Sequence, residues 1–383
     1  MKGKIKIMQN RICPVCGGTH PDFIKRIDMK VPEAYRLPQH YNVACCQSCG
    51  MVYADTEASM DDYNYYYAHC NFYGDDSKDD NSFRYEMVKG LLAQFCQKDT
   101  AMLDIGAGNG RFEAALKRNG YTGVTGMDPS SESVDRLKEA GIRSYVGNIY
   151  SPVPQEEEGR YGCIFLFEVA EHLLAPREAI GNVKKMLRDD GVFMISVPDY
   201  SLIAEEREYG IPAYFNLEHI NYFSETSLDN LLAAYGMERA CQKRVGGDLI
   251  HCYRIGGGGE GFKMDTVTRK AVQSYFAIWQ EKNQRAAQVI SRLKEEGREV
   301  VVWGTGSYSM GLAAETDLLG CRIQGFIDNN KIKQGRKMYG YPIYPPEFLV
   351  DKEYMVLICS MLNGREIQEQ MKSMGIKNDS IIL

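Results

Sequence analysis

Two strand–glycine-turn–helix junctions constrain the fold of this chain more than any other feature of its sequence. Short apolar segments alternate with amphipathic helical segments from Thr100 onward, and a second alternating stretch runs from Val300 to the C-terminus. In both stretches the opening apolar segment leads directly into a glycine-rich turn. Such alternation is typical of parallel sheets whose strands are joined by crossover helices. The sequence therefore predicts an α/β protein with two doubly wound units.

The charge balance and hydropathy limit the partners of the chain. Its 383 residues include 45 Lys and Arg against 51 Asp and Glu, a net charge of -6. A mildly acidic chain is unsuited to broad binding of nucleic acid or of anionic membranes. No apolar segment approaches the roughly 18 residues that span a bilayer, and the N-terminus has no apolar signal core. We expect a cytoplasmic protein whose partner is a small molecule.

Paired cysteines near the N-terminus predict a metal site. Cys13 and Cys16 form one C-x-x-C motif, Cys46 and Cys49 form a second, and a glycine follows each. Two residues between thiolates let one tight turn present both sulfurs to one ion, and two such turns complete a tetrahedral site. Four sulfurs leave no open position, so we expect a structural zinc that builds a small lobe. The alternative is that these cysteines are free thiols in a small apolar layer. The neighbouring Cys45 belongs to neither motif and is not needed as a ligand.

The first glycine-rich turn indicates which cofactor binds there. Asp104 stands at the tip of a predicted strand, two residues before the turn formed by Gly106, Gly108 and Gly110. Glycines at such a junction let a ligand lie against the backbone at the start of a helix. A carboxylate at the strand tip would repel a pyrophosphate, but it suits the ammonium and sulfonium groups of S-adenosylmethionine. We therefore predict S-adenosylmethionine rather than a dinucleotide.

Three polar residues follow the later strands of the same unit. Asp128 closes the second strand, where it is placed to bind both ribose hydroxyls, and Asn148 follows the third strand, near the adenine edge. Glu168 follows the fourth strand and is expected to line the cofactor pocket. With the acid and glycines of the first turn, this set resembles the motifs of class I S-adenosylmethionine-dependent methyltransferases. The resemblance implies a doubly wound methyltransferase sheet.

The segment after the fourth strand has two interpretations. Glu168, Glu171 and His172 have the E-x-x-E-H spacing that resembles the divalent-metal motif of ubiquinone-type and small-RNA O-methyltransferases, which would imply Mg²⁺. In the other interpretation, which we favour, Glu168 lines the cofactor pocket while Glu171 and His172 cap the next helix.

A histidine on a loop is the candidate general base. Ser224 or Ser227 is suited to cap an amphipathic helix, so His219 lies on the loop that precedes this helix. A loop histidine with Glu218 beside it is suited to remove a proton near neutral pH. The alternative is a histidine that only hydrogen-bonds its own loop.

The combined motifs resemble the nucleotide-sugar C-methyltransferases. That resemblance implies a zinc-binding N-terminal lobe, a class I methyltransferase domain and a C-terminal Rossmann-like domain that helps to hold the nucleotide-sugar. It also implies that His219 removes a proton from the carbon beside a keto group, and that the resulting enolate attacks the sulfonium methyl. The resemblance rests on both C-x-x-C motifs, 104–110, Glu218 with His219, Phe223 with Ser224, Gly246 with Gly247, 302–306 and 326–335.

The chain departs from this family at Asn216, where some members carry an aromatic residue two positions before the glutamate. If a phenol at that position stabilises the enolate, Tyr222, Asn216 or a tyrosine of a lid must do so here. Six tyrosines between Tyr53 and Tyr73 could supply such a lid, although stacking within the zinc lobe is the favoured role for most.

The second glycine-rich turn differs from a dinucleotide site. Gly304 and Gly306 follow a strand without an acid at its tip, and Ser309 occupies the place of the third glycine. Asp328 ends the next strand in a position suited to a ribose hydroxyl. We expect this domain to close over the acceptor or to be purely architectural.

These observations predict five segments. They are a zinc-ribbon-like lobe (1–56), a Tyr-rich helical lid or connector (57–98), an S-adenosylmethionine-dependent methyltransferase domain (99–255), a glycine joint with a long helix (256–298) and a Rossmann-like domain (299–383). The predicted function is C-methylation of a nucleotide-linked ketosugar. The alternatives are O- or N-methylation of a glycan or small molecule, with or without Mg²⁺, and a binding or scaffold protein built on the same fold.

Overall fold

The computed structural model describes residues 11–70, 82–205, 215–257, 261–360 and 363–383. Within these ranges the strands form three sheets, and no helix combines the length and apolar character that crossing a membrane requires. The predicted α/β class is confirmed, since parallel strands alternate with helices in two of the three sheets.

The strands and helices are numbered in chain order. The strands are β1 (Pro21–Asp28), β2 (His40–Cys46), β3 (Val52–Asp55), β4 (Met102–Ile105), β5 (Val124–Asp128), β6 (Arg143–Val146), β7 (Tyr161–Phe167), β8 (Leu187–Pro198), β9 (Asn221–Tyr222), β10 (Met237–Val245), β11 (Asp248–Ile255), β12 (Glu299–Trp303), β13 (Arg322–Ile327), β14 (Lys337–Met338), β15 (Tyr341–Tyr344), β16 (Met355–Ile358) and β17 (Ser380–Ile382). The helices are α1 (Met60–His69), α2 (Ser82–Phe95), α3 (Arg111–Arg118), α4 (Ser131–Glu139), α5 (Pro176–Met186), α6 (Glu225–Ala233), α7 (Thr268–Glu295), α8 (Ser307–Glu315) and α9 (Gly364–Ser373).

The central sheet has seven strands in the order β10-β11-β8-β7-β4-β5-β6. β4 to β8 run parallel, and β11 pairs antiparallel with β8. Every residue of β7 is buried, as expected for a parallel strand that has helices on both faces of its sheet. The sheet is doubly wound, as the sequence predicts, and the carboxyl ends of β4, β5 and β7 meet at one edge, where ligands bind in such folds.

The N-terminal sheet is antiparallel and draws one strand from a distant part of the chain. Its order is β1-β2-β3-β9, with Val52 paired to Tyr222 and Tyr53 paired to Asn221. β9 lies within the segment predicted as methyltransferase domain, so the sheet of the cysteine-rich lobe does not end at residue 56. The loop that carries His219 is therefore attached to that lobe by backbone hydrogen bonds.

The C-terminal sheet has six strands in the order β14-β15-β13-β12-β16-β17, and α7 leads into it. α7 begins at Thr268, just after Asp265, whose carboxylate accepts hydrogen bonds from the backbone N–H groups of Val267 and Thr268. Aromatic residues of α7 pack against Phe215, while its later apolar residues join the core of the C-terminal domain. One continuous apolar cluster thus joins the N-terminal lobe, α7 and the C-terminal sheet.

A buried arginine connects the lobe to the loops beside the central sheet. Arg11 is only 8% exposed, and its backbone N–H donates to the carboxylate of Asp55. Its guanidinium donates to five acceptors that belong to three separate segments. They are the carbonyl oxygens of Ala54, Leu173, Leu174 and Ile220, and Oδ1 of Asn221. Asn221 extends the network through its Nδ2 group, which donates to the carbonyls of Ala170 and Leu173.

We expect Arg11→Met to lower the free energy of unfolding by about 3 kcal/mol, because it leaves several buried carbonyl groups without donors. Urea denaturation followed by circular dichroism measures the change. Arg298→Met is the matched control, since Arg298 forms an exposed ion pair with Asp379 and its loss should cost less than about 0.5 kcal/mol. Equal effects of the two substitutions would contradict a structural role for the Arg11 network.

Candidate functional site

The two C-x-x-C motifs meet in the N-terminal lobe. Each forms a tight turn that closes through a backbone hydrogen bond, from the glycine after the second cysteine to the carbonyl of the first. Those glycines, Gly17 and Gly50, have φ of 75° and 78°, which other residues rarely adopt. The four sulfurs form one group that could hold a metal ion: Cys13, Cys16, Cys46 and Cys49.

The spacing of the sulfurs fits zinc. Sγ of Cys13 lies 3.7 Å from Sγ of Cys49, and Sγ of Cys16 lies 3.5 Å from Sγ of Cys46. A tetrahedral Zn–S₄ site requires S–S separations of about 3.8 Å. Cys45 is not part of the group, because its thiol donates to the carbonyl of Gly50.

The first glycine-rich turn lies at the carboxyl ends of β4 and β5. Gly106, Gly108 and Gly110 all have positive φ, between 55° and 84°, so the backbone bends sharply before α3 begins. The N–H of Gly108 donates to Oδ2 of Asp128 over 2.9 Å, which fixes this carboxylate beside the turn. The N–H of Gly147 donates to the carbonyl of Asp128, and it brings Asn148 to the same edge.

Asp104 has a carboxyl neighbour that the sequence did not reveal. Burial raises the pKa of Asp104 to about 6. Burial and the charge of Asp104 together raise the pKa of Glu113 in α3 well above its ordinary value. A cation bound near these two groups would favour the ionised form of Asp104. No sequence signal distinguished Glu113, since a glutamate on an amphipathic helix is ordinarily exposed.

A cleft of about 170 Å³ opens between α2 and the ends of β7 and β8. Glu168 lines it, with φ of 56° and with its Oε1 accepting a hydrogen bond from Ser196 over 2.8 Å. The participation of α2 was not predicted. The lining residues are Phe83, Arg84, Met87, Val88, Phe167, Glu168, Ser196, Asp248 and Ile250.

Two histidines face each other beside the cleft. The rings of His172 and His219 pack edge to face, with 4.8 Å between their centroids. Nδ1 of His172 bonds to the carbonyl of Glu218 over 3.1 Å, and Nδ1 of His219 bonds to the hydroxyl of Tyr200 over 3.1 Å. Burial lowers the pKa of His219 well below 6.5, and the neighbouring His172 lowers it further. His219 is therefore neutral at pH 7, and one of its two ring nitrogens carries a lone pair.

Glu171 completes this group. Ligand atoms of Glu171, His172 and His219 all lie within 4.8 Å of one another. Burial raises the pKa of Glu171 well above its ordinary value, with further contributions from Glu168 and Asp248 of the cleft. The metal set considered from the sequence contained Glu168 instead of His219. Glu168 is outside the group because the positive-φ bend after β7 directs its carboxylate toward Ser196 in the cleft.

The loop before His219 is held by side chains from its own turn and from α1. Oδ1 of Asn216 accepts hydrogen bonds from the N–H groups of both Glu218 and His219, each over 2.7 Å. The hydroxyl of Tyr66 donates to Oε1 of Glu218 over 2.6 Å, and Tyr63 donates to the carbonyl of Leu217. The side chain of Asn216 thus shapes the backbone of the turn. Ser224 begins α6 as its N-cap, as predicted, whereas Tyr73 lies outside the described residues.

Tyr222 lies in an enclosed aromatic cluster. Its side chain is fully buried, and its ring centroid is 4.8 Å from that of Tyr200 and 4.7 Å from that of Phe215. Burial raises its pKa well above the ordinary value. The hydroxyl that contacts His219 belongs instead to Tyr200, which the sequence analysis missed. Its position just after β8, at the carboxyl edge of the sheet, was the available signal.

In the C-terminal domain, the carboxylate of Asp328 already has protein partners. The hydroxyl of Thr305 donates to Oδ2 of Asp328, and Nζ of Lys333 lies 3.4 Å from the same atom. Oδ2 of the carboxylate that the sequence suggested as a partner for a ribose hydroxyl thus contacts protein groups instead.

Comparisons with known families agree with this architecture. Residues 81–242 match the family model described as a methyltransferase domain, and residues 296–382 match a model described as C2185-like, N-terminal. The predicted class I S-adenosylmethionine-dependent methyltransferase domain is therefore confirmed for this part of the chain.

Individual relatives match at low identity. The EEF1A lysine methyltransferase 2 of Danio rerio is 25% identical over 126 residues, which cover 29% of this chain and 54% of that relative. The chain thus spans about half the length of this curated relative. The 1,6-didemethyltoxoflavin-N1-methyltransferase of Burkholderia thailandensis has 20% identity and a TM-score of 0.41, covering 57% of this chain and 96% of the other. An S-adenosylmethionine-dependent methyltransferase of Clostridium acetobutylicum has 11% identity and a TM-score of 0.38, covering 47% of this chain and 94% of the other.

We expect the purified protein to contain one zinc ion per chain and Cys16→Ser to lose it, because a three-sulfur remainder cannot close the tetrahedron. Elemental analysis by mass spectrometry measures the metal content. Cys45→Ser is the matched control and should retain the ion, since this thiol is outside the group. Retention of full zinc content by Cys16→Ser would contradict the assignment.

Proposed function

We propose that the chain is a cytoplasmic enzyme that transfers a methyl group from S-adenosylmethionine to the α-carbon of a nucleotide-linked ketosugar. The observation that carries the proposal is the neutral, largely buried His219, which contacts Tyr200 beside the cleft of a methyltransferase domain. A carbon acceptor needs a base, whereas a neutral amine acceptor does not. His219 meets that need.

The residues of the glycine-rich turn fit S-adenosylmethionine. Asp104 and Glu168 would face its cationic end, and Asp128 and Asn148 would hold the ribose and adenine. When bound, the cofactor supplies an electrophilic methyl group. Gly106 and Gly108 place no side chain between a ligand and the backbone of the turn, and both have the positive φ that its sharp bend requires.

His219 would move the proton. In the tautomer whose Nδ1–H donates a hydrogen bond to the hydroxyl oxygen of Tyr200, the lone pair of Nε2 would be available to take a proton from the carbon beside the keto group. Removal of that proton would leave the electron pair of the C–H bond in an enolate of the acceptor. Its carbon would be the nucleophile toward the methyl group that bound S-adenosylmethionine supplies, with the thioether S-adenosylhomocysteine as the leaving group. Tyr200 is the hydroxyl placed to support this step, and Asn216 orients the backbone of His219.

The other domains would hold the reacting groups in place. We propose that Cys13, Cys16, Cys46 and Cys49 hold a structural zinc, and that the β3–β9 pairing transmits the rigidity of this lobe to the His219 loop. The C-terminal domain would contact the acceptor. Burial raises the pKa of Tyr35 to about 12, with smaller contributions from Glu218 and Asp328, so residues of two domains lie near this phenol.

We expect His219→Asn to lose at least about 100-fold in turnover while keeping its affinity for S-adenosylhomocysteine, because the amide can replace the Tyr200 contact but cannot act as a base. In the wild type, NMR in D₂O should show exchange of the acceptor's α-proton. Since the pKa of His219 lies well below 6.5, turnover should stay constant between about pH 8 and pH 6.5. His69→Asn is the control at an exposed histidine. Unchanged exchange in His219→Asn would remove His219 from the mechanism.

A metal-assisted O- or N-methyltransferase is the second candidate function. The observation that favours it is the group of Glu171, His172 and His219, in which both carboxylate oxygens of Glu171 are buried without a hydrogen-bond partner in the described part of the chain. The second nitrogen of each histidine has its own partner, as is usual for metal ligands. Two nitrogens and one oxygen suit Mn²⁺, Fe²⁺, Co²⁺ or Zn²⁺ better than Mg²⁺.

If this second function holds, added Mn²⁺ or Co²⁺ should raise turnover at least about tenfold, and Glu171→Gln should abolish the response, because the amide is a poorer ligand. Turnover and retained metal after dialysis measure the effect. Glu178→Gln, at an exposed glutamate of α5, is the control. Turnover that is independent of these metals while the cysteine site stays loaded would favour the C-methylation mechanism.

A further inference from the structure

Arg84 is a cation in a cleft whose other charged residues are acidic. It lies in the first turn of α2, and Glu168 and Asp248 line the cleft with it. Across the described ranges, no hydrogen bond or ion pair joins this half-buried guanidinium to a protein group. A guanidinium has five N–H donors, and one that faces a cleft without an acceptor is suited to receive a ligand that brings one.

The surroundings of Arg84 restrict the charge of that ligand. Burial raises the pKa of both Asp104 and Glu113, and the positive charge of Arg84 opposes the shift at both, so the guanidinium lies near the end of β4. A purely anionic ligand would be repelled by the carboxylates of Glu168 and Asp248. A purely cationic ligand would leave Arg84 without an acceptor. A zwitterion, with its two charges a few ångströms apart, satisfies both halves of the cleft.

We propose that Arg84 binds the α-carboxylate of the methionine moiety of S-adenosylmethionine, while the carboxylates at the strand ends receive its α-ammonium group. The inference rests on the proposed use of S-adenosylmethionine and adds a cofactor-binding residue outside the glycine-rich turn. A guanidinium can pair with a carboxylate through two parallel N–H···O bonds, which a lysine cannot reproduce.

The proposal predicts selectivity between adenosine thioethers. S-adenosylhomocysteine keeps the amino-acid end of the cofactor, whereas 5′-methylthioadenosine lacks it altogether. Arg84 would therefore contribute to the binding of S-adenosylhomocysteine but not of 5′-methylthioadenosine, although both ligands would place the same adenosine against Asp128. Decarboxylated S-adenosylmethionine isolates the carboxylate further, because it keeps the amine and the sulfonium.

Isothermal titration calorimetry of the full chain tests the assignment. Arg84→Met should weaken S-adenosylhomocysteine binding about 10- to 100-fold, the range for loss of a charge-assisted pair, and leave 5′-methylthioadenosine within about twofold. Arg84→Lys should recover part of the loss. Arg118→Met, at an exposed arginine of α3, is the control and should change neither affinity. Retained binding of 5′-methylthioadenosine also shows that the variant is folded.

Two results would overturn the assignment. One is an equal loss of affinity for both thioethers in Arg84→Met, which would mean that α2 supports the adenosine end instead. The other is an equal loss for S-adenosylmethionine and its decarboxylated form, which would mean that the carboxylate is not the group recognised. If the wild type bound none of these ligands, the proposed function itself would fail, and the inference would fail with it.

Discussion

The buried guanidinium of Arg11 is the interaction on which the arrangement of the site depends. Its acceptors are the backbone of β3, of the turn that carries His172 and of the strand that follows His219. Main-chain carbonyls buried away from water need donors, and one arginine supplies them for three segments that are far apart in sequence. The two histidine loops therefore keep a fixed separation, which neither loop could maintain by contacts within itself.

Burial then determines the chemistry of that site. A histidine that packs against a second imidazole and the Tyr200 hydroxyl loses the hydration that stabilises its charged form, so it stays neutral at neutral pH. The same burial leaves the carboxylate of Glu171 near Glu168 and without a hydrogen-bond donor among the residues that the structure describes. One small volume thus offers a proton acceptor and a set of metal ligands, and the two candidate functions differ only in which of these the substrate meets.

Sequence patterns predicted those parts of the structure that are determined by residues close together in the sequence. The C-x-x-C turns, the glycine-rich junction after β4 and the N-cap of α6 all appear where spacing alone placed them. Sequence spacing did not predict contacts that depend on tertiary packing: β9 completing the N-terminal sheet, Tyr200 reaching His219, and Glu113 beside Asp104. Each of these pairs residues of different strands, helices or loops, and no periodicity records such a pairing.

The two-residue strand β9 has a further consequence for how this protein can be divided. It supplies the last strand of a sheet whose other strands precede residue 56, and the ring of its own Tyr222 packs against Phe215, which contacts Phe276 of α7. A fragment that begins after the cysteine-rich lobe would expose the edge of β9 and the aromatic cluster behind it, while the isolated lobe would lack an edge strand. In recombination between relatives, the lobe and the His219 loop would therefore have to be inherited together, whatever the order of segments along the chain suggests.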